Sequence, residues 1–145
     1  EIQQQMEALE QEKRAIEAEI EGVQDEQAEI DEAVEAIETL ESGSTVQVPV
    51  GGGAYVRAEV QDIDEIIVGL GGSYAAEQDQ EGAIEALERK RDALDDRIEE
   101  LREEVSEVES ESDQLEQRAQ QMQQQQMQQM MQQQQQQQQA EDDDE

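Results

Sequence analysis

Ile2, Met6, Leu9, Lys13, Ile16, Ile20, Val23, Gln27, Ile30, Val34 and Ile37 follow one another at steps of four and three. That rhythm is a heptad seam, and it predicts one coiled-coil helix over 1–41. Lys13 and Gln27 interrupt the apolar series. Both fall at a positions, where polar residues fix register at some cost in stability. Nearly everything outside the seam is Glu, Gln, Asp or Ala, mostly good helix formers, and Ser42-Gly43 supplies the stop. A second seam runs Ile84, Leu87, Arg91, Leu94, Ile98, Leu101, Val105, Val108, Ser112, Leu115, Ala119, Met122. It predicts a helix over 81–122 with Asp79 as N-cap. Each seam covers about 38 residues, roughly 57 Å at 1.5 Å per residue. Matching lengths favour antiparallel pairing within the chain over parallel pairing between copies. Leu40 then lies near Ala83, Ile2 lies near Gln121, and the two free ends meet at one tip.

Between the seams the period changes from 3.5 to 2. Val46, Val48 and Val50 alternate with Thr45, Gln47 and Pro49; Ala54, Val56, Ala58 and Val60 alternate with Tyr55, Arg57 and Glu59. Gly51-Gly52-Gly53 joins the two runs, which reads as a β-hairpin. Ile63 with EIIVGLGG (65–72) gives a third strand and SYAAEQ (73–78) a fourth. Pro49 cannot donate to a ladder, so its strand is an edge or is bulged there. Isolated hairpins are marginal in water, and their open edges recruit other strands. The expectation is that several chains pool these hairpins into a closed sheet, with Val46, Val48, Val50, Val56, Val60, Ile66, Ile67 and Val68 making the oligomer contacts. The predicted fold class is mainly α with a small β region: a long antiparallel coiled-coil hairpin whose two central β-hairpins (42–80) assemble into a β-barrel hub.

Composition narrows the chemistry. The 145 residues carry a formal charge of -32, with no Cys, His, Trp or Phe. Disulfides, thiol chemistry and the usual zinc ligands are absent. GGGAYVR lacks the Lys-Ser/Thr of a phosphate loop and leads into a strand, and GLGGSY fails the dinucleotide fingerprint likewise. Carboxylates such as Asp95-Asp96 and Glu99-Glu100 have no His, Cys or Lys pocket beside them, so they read as solvated faces. The expectation is no enzyme, no cofactor and no metal. No basic stripe suits nucleic acid, and no apolar run reaches a membrane span. A soluble, cytoplasmic protein is expected, with N-terminal residues missing because the chain begins at Glu1. Net charge is -13, -5, -9 and -5 over 1–41, 42–80, 81–118 and 119–145. Acid spread so evenly, with two Lys among nine bases, points to a salt-rich cytoplasm. At molar salt the screening length falls to about 3 Å, which removes most self-repulsion.

The order of these parts resembles the prefoldin family of archaea, in its alpha type. VPVG-x-x-x-Y-V (48–56), D-x-x-x-I-I-V-G-L-G-G (62–72) and YAAE (74–77) carry the likeness, which covers residues 2–122. Two hairpins instead of one favour alpha over beta. The resemblance implies a hexamer with prefoldin beta subunits, two alpha to four beta, joined through a double β-barrel. It implies a chaperone that holds non-native client proteins at coiled-coil tips without ATP and passes them to a group II chaperonin. The chain departs from the family pattern in its acidity and its Met/Gln tail.

A holding surface must be apolar, exposed and adaptable, and a fraying seam end supplies that. The candidates are Ile2, Met6 and Leu9 against Leu115, Ala119 and Met122, followed by Met127, Met130 and Met131 in a Gln-rich tail (123–145) expected to be disordered. The plainer reading makes the tip ordinary seam and the tail low-complexity filler. Two rival functions stay open: a structural coiled-coil scaffold, and an acidic binder of basic proteins.

Overall fold

The computed structural model describes residues 1–143. Its order is α1 (Ile2–Thr39), β1 (Thr45–Gly51), β2 (Ala54–Glu59), β3 (Ile66–Gly71), β4 (Tyr74–Gln78) and α2 (Gln80–Asp143). Two compact units divide the chain: one gathers Glu1–Glu19 with the chain from Leu101 onward, the other is Ile20–Glu100.

In the second unit the two helices run antiparallel. The Asp31 carboxylate sits 2.8 Å from Arg91 Nε. One turn back along α1, Gln27 Nε2 donates to the Asp95 carboxylate at 2.6 Å and to the Arg91 carbonyl at 3.2 Å. Gln27 is buried, so this polar seam position is satisfied across the pair, as a register-setting residue must be. The junction of helices and strands is tied by side chains. Asp79 Oδ1 accepts from Gly82 N at 2.7 Å, an N-cap for α2. Gln80 Nε2 donates to the carbonyls of Ile37 (2.8 Å) and Leu40 (3.3 Å), which α1 leaves unpaired at its C-terminus.

β1 pairs with β2 and β3 with β4, both antiparallel, as separate two-stranded sheets. Gly52 and Gly53, at φ 59° and 80°, close the first hairpin; two consecutive positive φ values are what a type I′ turn demands. Each hairpin shifts register just before its turn, between Pro49 and Gly51 and between Gly69 and Gly71. Val50 and Leu70 are the residues at these bulges, which absorbs the missing donor of Pro49 within β1. Only β3–β4 joins a core: Val68 is buried with Ala83 and Ala86, and Ile37, Ile66 and Leu87 pack around them.

In the first unit Lys13 Nζ lies 3.2 Å from Glu109, again fixing an antiparallel register. α2 runs unbroken to Asp143. The tail from 123, expected to be disordered, is helical through its described residues. Gln, Met and Ala favour helix, and no Gly or Pro follows Gly82. Part of the acidic end at 141–145 lies outside the described residues.

Candidate functional site

The site residues expected from sequence fall on two separate surfaces, one in each unit. On the hairpins, strand alternation sorts the eight candidates. Ile66 and Val68 share the face that packs on the helices, and Val68 is only 5% exposed. Val68 is thus committed to the chain's own core and offers nothing to a partner in this state. Val46 and Val60 are half-buried. Val48, Val50, Val56 and Ile67 stand exposed, Ile67 at 74%. Tyr55, Leu70 and Tyr74 join them, and sequence reasoning passed them over. The signal was available for Leu70 and Tyr74, which flank the second glycine turn as Val50 and Tyr55 flank the first.

In the other unit, Leu9 and Leu115 line an open groove of about 410 Å³ between the helices, together with Ala8, Gln5, Gln114 and Arg118. Ile2 and Met122 line a neighbouring crevice of about 510 Å³. Ile2, Met6, Leu9, Leu115 and Ala119 are all half-buried. They are therefore seam residues with one side still in water. Met122, Met127, Met130 and Met131 are different, exposed by 50 to 67%. Met127, Met130 and Met131 stand at i, i+3 and i+4, one face of α2. Lys13 closes the inner end of the groove region: its hydrogen bond to Glu109, then that residue's charge, raise its pKa above the ordinary 10.5.

Charge placement separates these surfaces from the rest of the chain. Three windows carry no charged residue: 42–56, 66–76 and 119–140. Every large hydrophobic side chain exposed among the described residues falls inside one of them: Val48, Val50, Tyr55 and Val56; Ile67, Leu70 and Tyr74; and the four methionines. Outside the windows, acids recur every few residues and the apolar side chains are tucked into the seam. In a chain of charge -32, the large apolar side chains that face water thus coincide with charge-free stretches. Among the described residues, no helix is long and apolar enough to cross a membrane.

Two long helices, antiparallel within each unit, with two β-hairpins inserted between them define a class of coiled-coil proteins with a β insert. A prefoldin subunit family model matches residues 2–125, so the chain belongs to the prefoldin subunit family. Among curated relatives it is 77% identical over 79 residues to a prefoldin alpha subunit of Halorubrum lacusprofundi, covering 54% of this chain and 52% of that protein. It is 60% identical over 85 residues to the alpha subunit of Haloarcula marismortui, covering 59% and 55%. To the alpha subunit of Methanosarcina mazei it is 39% identical over 101 residues, 70% of each chain. The chain spans about half the length of the haloarchaeal relatives it matches. A filamentous prefoldin from Methanocaldococcus jannaschii, solved by cryo-EM, aligns with a TM-score of 0.53 and 27% identity over 79% of this chain and 91% of that one. The extreme acidity accords with the salt-loving organisms that carry the 60–77% identical relatives.

Proposed function

We propose that this chain is a chaperone subunit that assembles through its β-hairpins and holds non-native proteins at the end of its paired helices, without ATP. The observation that carries this reading is the confinement of exposed apolar side chains to three charge-free windows. Two of these windows are the hairpins, whose unpaired strand edges and exposed Val48, Val56 and Ile67 suit a β-barrel shared with prefoldin beta subunits, two alpha to four beta. The third is the methionine helix. Unbranched, polarizable thioethers accept many apolar shapes, and the adjoining groove at Leu9 and Leu115 extends the same surface. Clients released from it pass to a group II chaperonin.

The bulge residues and Tyr74 favour this over a plain scaffold, because a coiled-coil scaffold gains nothing from apolar hairpins turned to water. An acidic binder of basic proteins would use the charged faces instead. The test is aggregation of a chemically unfolded client in molar KCl, with the full chain assembled with cognate beta subunits and with the same assembly lacking 123–145. The reading expects intact assembly of the shortened chain and weaker suppression. Equal suppression by both removes the tail from the mechanism, and a chain that never associates removes the hub.

A further inference from the structure

We infer that Met122, Met127, Met130 and Met131 form an oxidation site, at which oxygen transfer from a hydroperoxide turns the apolar face of the tail polar. The inference rests on the reading of that tail as a client surface. The chain has no Cys, so its sulfur chemistry resides entirely in five methionines, and four of them lie within 122–131. Those four are 50 to 67% exposed, whereas Met6 is half-buried in the seam. Thioether oxidation follows exposure, so an oxidant meets the tail first.

What makes the chemistry consequential is the company these side chains keep. Residues 120–139 are sixteen Gln and four Met, with no other apolar side chain. The whole apolar character of that helix surface is thioether. In each step the peroxide O–O bond breaks and its terminal oxygen bonds to Sδ. The sulfur loses two electrons, the peroxide gains them, and water (or an alcohol from an organic peroxide) leaves. Each sulfoxide is a strong hydrogen-bond acceptor on a side chain that was purely apolar. Four oxygen atoms therefore convert a Met-studded helix into a uniformly polar one. No charge is added, and the seam at Ile2, Met6 and Leu9 is left as it was. A methionine sulfoxide reductase would restore the thioethers.

The experiment treats the full chain, assembled in molar KCl, with hydrogen peroxide and follows each methionine by peptide mass mapping beside suppression of client aggregation. The expected result is that the four tail methionines oxidise several-fold faster than Met6, and that suppression falls to the level of the chain lacking 123–145. In a variant carrying Met122→Leu, Met127→Leu, Met130→Leu and Met131→Leu, the suppression measured before peroxide, whatever its level, should not fall after it. Full tail oxidation without loss of suppression, while truncation does cause loss, overturns the inference and leaves the client surface standing. Oxidation of Met6 as fast as the tail also overturns it. If replacing the same four residues with Gln leaves the untreated chain fully active, the client reading itself fails and takes this inference with it.

Discussion

Ile67 and Val68 are neighbours on β3 that point to opposite faces, so one substitution made at each should give opposite phenotypes. Ile67 is 74% exposed and lies opposite Glu77; Val68 is 5% exposed, lies opposite Ala76 and touches the Ala83–Ala86 cluster. Glutamine is the useful replacement, because it brings an uncharged polar group and creates no repulsion with Glu77. At Ile67 the single chain loses almost nothing on substitution. An interface that covers this side chain loses about three-quarters of the 1.5–3 kcal/mol for burying an isoleucine, roughly 1–2 kcal/mol. An amide stranded in that interface adds about 1–3 kcal/mol. Together these weaken assembly by roughly tens- to thousands-fold, at about 1.4 kcal/mol per decade. At Val68 the same two losses, roughly 2.5–6 kcal/mol in all, fall on the chain itself, a large share of the 5–15 kcal/mol that holds a domain folded. Circular dichroism melting of each chain in molar KCl reads the fold, and sedimentation with cognate partner subunits reads assembly. Ile67→Gln should melt like the parent and fail to assemble; Val68→Gln should melt early. Normal assembly of Ile67→Gln, or an unshifted melt of Val68→Gln, refutes the assignment of faces.

Three further outcomes are expected. Gly22 lies exposed in the interior of α1 with nothing within 4 Å of a Cβ built on it, so Gly22→Ala should stabilise the chain by about 0.5–1 kcal/mol in a urea melt. Gln27→Leu should not destabilise: the exposed Asp95 returns to water and the Arg91 carbonyl keeps its helix partner. About 2 kcal/mol from the buried leucine then outweighs a hydrogen bond worth about 1.5 kcal/mol, and a lowered melting midpoint would contradict this. Lys13 has its folded pKa raised above 10.5, so its contribution is complete below that value and is lost as pH rises through the folded value. The parent should therefore melt above Glu109→Gln below about pH 10.5, with the gap closing as pH rises past that value, and a gap that appears only at higher pH would contradict the pairing.

Much of the architecture is legible in sequence because two periods are enforced by geometry. A seam at steps of four and three has no use except against another helix, and glycine pairs with positive φ have few uses except tight turns. Gln27 and Asp79 were readable for the same reason, since a polar group in a seam or before a helix has a small set of partners. The faces of the hairpins were less legible. Period 2 says that Ile66 and Val68 share a face and Ile67 has the other; it does not say which face meets the helices. That choice is made by Ala83 and Ala86, small residues on α2 that leave room for Val68, and their meaning appears only once β3 is laid beside them. The helical tail was illegible for another reason. Its composition matches disordered low-complexity sequence, while the intrinsic preference of Gln and Met is helical, and an existing helix spares it the cost of nucleation.

Salt connects these surfaces to the rest of the chain. In dilute buffer a chain of charge -32 repels its neighbours before its hairpins meet, because like charges act over roughly 10 Å at 0.1 M salt. At molar salt that range shrinks to about 3 Å. Only contact forces then remain. The exposed side chains able to use them are Val48, Val56, Ile67 and their neighbours on the hairpins, and the thioethers of the tail. Under the proposed function, the local absence of charge, more than any particular apolar residue, marks where contact occurs.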